Sequence, residues 1–329
     1  MSKIIVIGSN SFSGSSFVDF ILSKKFRVTG LSRSNEYKDV FLRYRKNKNI
    51  NNFKFYKLDI NKDFNKICAL IKKEKPEYII NFAAQGMVNE SWDRPTDWYN
   101  TNFISQVKLF EFLKGNKFLK KYIHFTTPEV YGNLNNWKKE SFIFNPSTPY
   151  ALSRAASDMH LKNLFDAYNF PVIFTRAANV YGEGQQLYRI VIKAMLFFRL
   201  GEKIDLHGGG HSKRSFIHID DVSNALFKII NKGKLGNTYH ISSKKIISIK
   251  SLLRQISKMM NVDYNKLVKK SEDRRGKDHS YKLDSLKIRN ELYWSDKITL
   301  DTGLRQTLIW VDQNIDMLKK LPNEYIHKK

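Results

Sequence analysis

Lys3-Ile-Ile-Val-Ile7, followed at once by Gly8-Ser-Asn-Ser-Phe-Ser-Gly14, decides how this chain folds. The apolar run reads as a buried strand, and it is too short for the core of a signal peptide. Beyond the glycines, Ser15 to Ser23 has the pattern of a helix. Glycine permits a tight turn there and lets backbone amides and the helix N-terminus approach an anion such as a pyrophosphate. On its own such a turn can be purely structural. Its weight comes from the strands downstream of it. Arg27–Leu31, Phe53–Leu58, Tyr78–Asn81, Tyr122–Phe125 and Val172–Arg176 read as further strands. Helical stretches lie between them near 63–74, 97–114 and 150–168. Strands and helices alternating in this way predict an α/β fold built on a doubly wound parallel sheet.

After residue 180 the alternation loosens. A helix near 188–200, the loop His207-Gly-Gly-Gly210 and a helical C-terminal region predict a smaller second α/β domain. Asp220-Asp-Val222 and Ala225-Leu-Phe-Lys-Ile-Ile230 predict a helix that returns to the first domain. The expected division is therefore a dinucleotide-binding domain over 1–180, rejoined by 215–240, and a substrate domain over 181–214 and 241–329. A chain of 329 residues, 42% hydrophobic, can fill such cores. The single cysteine, Cys68, excludes a disulfide framework and fits a reducing compartment. The apolar run ending at Phe198 stops at Arg199, too short to span a bilayer. A soluble cytoplasmic protein without membrane contact is expected. The net charge of +26 is spread through every segment rather than clustered, so a nucleic-acid partner is not expected.

The chemistry is carried by Thr127-Pro128-Glu129 and, some twenty residues on, Tyr150-Ala-Leu-Ser-Arg154. A tyrosine phenol, with a pKa near 10, is a poor base at neutral pH. A fixed cation one helical turn away favours its phenolate, and a nearby carboxylate adds a second proton-transfer group. Around these lie Asn81-Phe-Ala-Ala-Gln85, Ser147-Thr-Pro-Tyr150, Asn179-Val-Tyr-Gly182, Arg214-Ser-Phe-Ile-His-Ile-Asp220 and Asp273-Arg-Arg-Gly-Lys-Asp278. In this order the motifs resemble the extended short-chain dehydrogenases and reductases, in particular the nucleotide-sugar 4,6-dehydratases acting on dTDP-glucose or GDP-mannose. The likeness runs over essentially the full length and implies a Rossmann-type sheet.

The resemblance implies an internal redox cycle. Tyr150 takes the proton of the sugar C4 hydroxyl as hydride passes to a nicotinamide, with Thr127 hydrogen-bonded to the same oxygen. Glu129 then abstracts the C5 proton, water leaves C6, and the hydride returns to C6. Arg154 stands where the family has lysine, and Pro128, which can donate no proton, stands where the family has an acid or a serine: either Glu129 shuttles its captured proton to the C6 oxygen, a water does so, or the chain does not dehydrate. Cofactor contacts are implied for Gly8, Asn10, Ser11, Phe12 and Gly14, for Asp59 and Ile60 on the adenine side, for Ala83 and Ala84 on the nicotinamide side, and for Tyr150 and Arg154. Ser11 replaces the family's middle glycine. At the end of the second strand Ser32-Arg33-Ser34 replaces the acid that usually binds the ribose hydroxyls, and a guanidinium beside a hydroxyl suits a 2′-phosphate. The cofactor is thus expected to be NAD(P), with NADP(H) preferred. Gln85, Asn179, Arg189, Arg214 and Arg274 fall where the family contacts a nucleotide-diphosphate sugar. No metal site is expected. A homodimer is expected through the helices near 97–114 and 150–168, which carry Leu109, Phe110, Leu113, Leu161 and Leu164. Two other outcomes stay open: a decarboxylase or epimerase working through the same 4-keto intermediate, and a catalytically silent dinucleotide-binding protein.

Overall fold

The computed structural model of the chain describes residues 1–273 and 280–328. Its first half alternates as the apolar runs require. The elements are β1 (Lys3–Ile7), α1 (Phe12–Leu22), β2 (Arg27–Ser32), β3 (Phe53–Lys57), α2 (Phe64–Glu74), β4 (Tyr78–Asn81), α3 (Pro95–Tyr99), α4 (Ser105–Leu113), β5 (Lys121–Thr126), α5 (Pro149–Tyr168) and β6 (Val172–Ala177). The second half runs β7 (Asn179–Tyr181), α6 (Ile190–Leu200), β8 (Ile204–His207), β9 (Lys213–His218), α7 (Ile219–Lys232) and β10 (Thr238–Ile241). It continues with β11 (Ile246–Ser248), α8 (Ile249–Met259), α9 (Tyr264–Leu267), β12 (Val268–Ser271), α10 (Leu286–Leu292) and α11 (Leu300–Leu318).

Seven strands form one parallel sheet in the order β10-β6-β5-β4-β1-β2-β3. Strands buried on both faces leave little polar alternation, and every residue of β6 is buried. One face packs α1 and α7, where Phe17, Val18, Ile21 and Leu22 meet Val222, Leu226 and Ile229. The other face packs α2, α4 and α5. A third core gathers α6, α8 and α11 around Met195, Leu253 and Leu304. Over it lie a three-stranded sheet, β11-β9-β7, and a two-stranded one, β12-β8. Strands β7 to β12 were not among the sequence expectations, because they are three to six residues long and lack a clear period.

The helical stretch at 97–114 is not one α-helix. Between α3 and α4 the chain makes a π turn over Asn100–Ile104. The inward bulge turns Asn102 toward the sheet, where its amide accepts from the Gln85 N–H (2.8 Å) and donates to the Gln85 carbonyl (3.0 Å) and to Ser153 Oγ (3.0 Å). One buried side chain thereby fixes the loop after β4 against α5. The five apolar residues expected to pair two copies, Leu109, Phe110, Leu113, Leu161 and Leu164, are all buried in the protein's own core. Exposed apolar residues on these helices are instead Ile104, Leu152 and Met159, with Tyr168 at the end of α5. Among the described residues no helix is long and apolar enough to cross a membrane, and no group of three or more side chains could hold a metal ion.

Candidate active site

The C-terminal ends of β1, β2, β4 and β5 open into a cleft of about 1220 Å³, the position where doubly wound sheets bind ligands. At one end lies the turn between β1 and α1. Gly8 has φ +83°, and a Cβ there would come within 2.8 Å of Ala83 N. A Cβ on Gly14 would come within 2.2 Å of the Gly8 carbonyl oxygen. The backbone is thus packed too closely for side chains, the condition for amides to approach a pyrophosphate. Ser11 accepts from Gly14 N–H (3.0 Å) and so caps α1. Its hydroxyl serves the helix where the family's glycine leaves space. Phe12 lines the cleft and reaches the core beneath it. The Asn10 amide donates to the carbonyls of Ser34 and Asn35 (3.0 and 2.9 Å), and the Asn10 N–H donates to Ser32 Oγ (2.9 Å). The glycine turn and the loop after β2 are therefore one unit. Asp59, Ile60, Ala83 and Ala84 line the same wall. This donor set and its cradle fit a dinucleotide.

Arg33 points into the cleft. Its guanidinium donates to the Lys328 carbonyl (3.0 Å) and to Gln85 Oε1 (3.3 Å). Glu36, the nearest acid after β2, accepts from the Tyr44 hydroxyl and from Arg45, both at 2.7 Å. Glu36 is not among the residues that line the cleft.

The catalytic candidates meet at the ends of β5 and α5. Thr127 caps a short turn over Pro128–Tyr131, its hydroxyl accepting from Glu129 N–H at 3.3 Å. Thr148 caps α5 in the same way, accepting from Ala151 N–H (3.1 Å), and this sets Tyr150 in the first turn. Tyr150 N–H donates to Ser91 Oγ (3.2 Å). Arg154, one turn on and only 2% exposed, donates to the Phe125 carbonyl at 2.5 Å. Burial pushes the Tyr150 phenol above its ordinary pKa, and the Glu129 carboxylate pushes it the same way. Arg154, a hydrogen bond with Thr127, and Arg189 pull it down without winning. Arg154 therefore has the expected sign but does not by itself yield a low-pKa tyrosine. Thr127, Glu129, Arg154 and Arg189 all act on one phenol.

On the far wall, Asn179 sits on β7 and Arg189 at the N-terminus of α6. Arg214 on β9 lies 4.5 Å from the Tyr281 ring centre and donates to the Lys213 carbonyl (2.9 Å). Gln85 is buried at the cleft floor, its Nε2 donating to the Lys328 carbonyl (2.8 Å). Arg274 lies outside the described residues. Sequence reasoning missed Ser91, Tyr188, Lys193, Tyr281 and the segment 321–328, all in or beside the cleft. Lys193, one turn after Arg189 on α6, could have been found from that spacing; the segment carries no periodic signal.

The profile of the family described as GDP-mannose 4,6 dehydratase matches residues 5–307. A trifunctional UDP-glucose 4,6-dehydratase, 3,5-epimerase and reductase of Arabidopsis thaliana is 31% identical over 80% of this chain. The chain spans only 40% of that plant protein's length. The dTDP-D-glucose 4,6-dehydratase of Dictyostelium discoideum is 29% identical over 95% of this chain and 82% of its own. The crystal structure of dTDP-glucose 4,6-dehydratase from Bacillus anthracis, in complex with NAD, superposes with a TM-score of 0.87 at 26% identity. It covers 97% of this chain and 99% of that one. The match over most of the length, on a seven-stranded parallel sheet with its cleft at the strand ends, makes this chain a member of the GDP-mannose 4,6-dehydratase family.

Proposed function

We propose that this chain is an NAD(P)-dependent nucleotide-sugar 4,6-dehydratase that makes a 4-keto-6-deoxy sugar. The observation that carries the reading is the convergence of Thr127, Glu129, Arg154 and Arg189 on the Tyr150 phenol inside the cleft. When bound, an oxidised nicotinamide supplies the hydride acceptor and a positive charge. Tyr150 accepts the C4 hydroxyl proton while Thr127 holds the same oxygen. Arg154 and the arriving positive charge offset the burial and the Glu129 charge that otherwise keep the phenol protonated. The C4 ketone acidifies C5–H. Glu129 removes that proton, the C5–H electrons become the C5=C6 bond, and the C6–O bond breaks. Pro128 has no proton to give. Glu129 is the acid on that turn, so it delivers its captured proton to the departing hydroxyl, which leaves as water. C6 takes the hydride back, and C5 takes one proton from solvent, matched by the one Tyr150 releases, which gives the 4-keto-6-deoxy sugar.

Arg189 and Arg214 supply the cations for a nucleotide diphosphate, with Asn179 and Gln85 toward the sugar. The substrate half is drawn from 181–214 and 241–329, except for α10, whose Ile288 and Leu292 pack in the main-sheet core, and for the segment after α11. NADP(H) is the preferred cofactor: Arg33 replaces the ribose-binding acid, and Glu36 is occupied by Tyr44 and Arg45. The working form is a homodimer in the cytoplasm. Incubation with a panel of nucleotide hexoses tests the activity. A 4-keto-6-deoxy product is expected; carbon dioxide, a C4 epimer or an unchanged substrate would replace this reading with one of its alternatives.

A further inference from the structure

After α11 the chain does not stop at the substrate half but crosses the cleft to the opposite wall. Glu324 pairs with Lys193 at 2.5 Å, and the Tyr325 ring lies 5.5 Å from that of Tyr188. His327 stacks on Trp98 (ring centres 5.2 Å apart, 11° between planes), and its Nε2 lies 2.8 Å from Asp97 Oδ2. The Lys328 carbonyl accepts from both Arg33 and Gln85, and Lys328 Nζ donates to Ser34 Oγ at 3.1 Å. The segment is thus fastened to α6 on one side and to the loops after β2 and β4 on the other. It does not fill the cleft. With the segment in place the cavity still measures about 1220 Å³, above the 300–1,000 Å³ of ordinary ligand sites. Gly8, Ser11, Asp59 and Tyr150 line that cavity together with Glu324, Tyr325 and Lys328.

We infer that residues 322–328 are a strap that closes over a bound dinucleotide and holds it through successive turnovers. The inference rests on the dinucleotide reading of the cleft. A cofactor that is reduced and oxidised again within one cycle has no need to leave, so a fastening that slows its exchange costs the cycle nothing. Arg33 and Gln85 serve as the buckle, because each reaches both the cleft and the strap.

The test compares the full chain, a chain stopped after Leu321, and the full-length His327→Ala variant. Each is loaded with NADH or NADPH, and release is followed by nicotinamide fluorescence after mixing with excess oxidised dinucleotide. The shortened chain is expected to release the reduced cofactor at least tenfold faster, and His327→Ala several-fold faster, with thermal midpoints within a degree or two of the parent. Equal release rates in variants that melt like the parent overturn the strap and leave the cofactor site standing. Tighter binding after shortening also overturns it, since the segment would then be a competitor. Failure of the full chain to bind either dinucleotide overturns the strap together with the reading on which it rests.

Discussion

Glu129 and Arg154 pull the Tyr150 phenol in opposite directions, and burial sides with Glu129. Replacing Glu129 with glutamine removes one upward push, so the phenol's pKa falls. C4 oxidation rises with pH as the phenol ionises, and in Glu129→Gln that rise moves to lower pH. Oxidation therefore survives, reduced nicotinamide accumulates in absorbance, and exchange of the C5 hydrogen with deuterated solvent falls by roughly two orders of magnitude. Tyr150→Phe abolishes the absorbance change altogether. Unchanged dehydration in Glu129→Gln would remove this residue from the mechanism. The second residue-level prediction concerns Arg33. The parent chain is expected to bind NADP(H) more tightly than NAD(H), and Arg33→Asp to reverse the order by calorimetry; tighter NAD(H) binding by the parent would sink the assignment. These side chains were legible in the sequence because each sits in a short motif, after a strand end for Arg33 and Glu129 and in the first turns of a helix for Tyr150 and Arg154. The sign of the Tyr150 shift was not. It depends on how deeply the phenol is buried and on Glu129 facing it, which spacing along the chain does not convey.

Helix α5 is the element on which the site turns, since it carries both Tyr150 and Arg154. Its inner face bears Asp158, which is fully buried with Arg176 Nη2 at 2.8 Å and His124 Nε2 at 3.2 Å. Burial alone would raise the Asp158 carboxyl, but Arg176 and His124 outweigh it and hold the group ionised. The Arg176 guanidinium lies in turn 5.0 Å from the Tyr131 ring and 5.1 Å from that of Phe144. Removing one member leaves a buried charge without compensation, so Asp158→Ala is expected to cost about 3–5 kcal/mol in urea unfolding. A loss below about 1 kcal/mol would show that the cluster relaxes and does not fasten the helix. None of this was visible in the amino-acid pattern. Asp158 sits among exposed-looking polar residues on a helix, and its partners come from β5 and β6. The π turn before α4 was equally hidden, because its apolar spacing passes for α-helix until Asn102 is seen to reach Gln85 and Ser153.

Over the whole molecule, the sheet was the legible part, since continuous apolar strands between helices have few other arrangements. The small sheets were not, because their strands are short and their pairing is set by the three-dimensional path. The expected pairing surface also changed: the core claims Leu109, Phe110, Leu113, Leu161 and Leu164, and leaves Ile104, Leu152 and Met159 outside. Leu152 and Met159 lie two turns apart on α5, on a face that a second copy can cover. A dimer is expected by light scattering at micromolar concentration, and Leu152→Lys with Met159→Lys should return it to a monomer with little change in melting; a parent chain that runs as a monomer would refute the pairing. The chain completes β6 at Ala177 and supplies its neighbour, β10, only at Thr238–Ile241. At translation speeds of about 5–20 residues per second, the outer edge of an apolar strand waits on the order of three to thirteen seconds for its partner. Through that interval the nascent chain presents an open sheet edge, the form most prone to pair with a neighbouring polypeptide. Chaperone cover during those seconds is therefore expected to raise the soluble yield, which co-expression with a chaperone would measure.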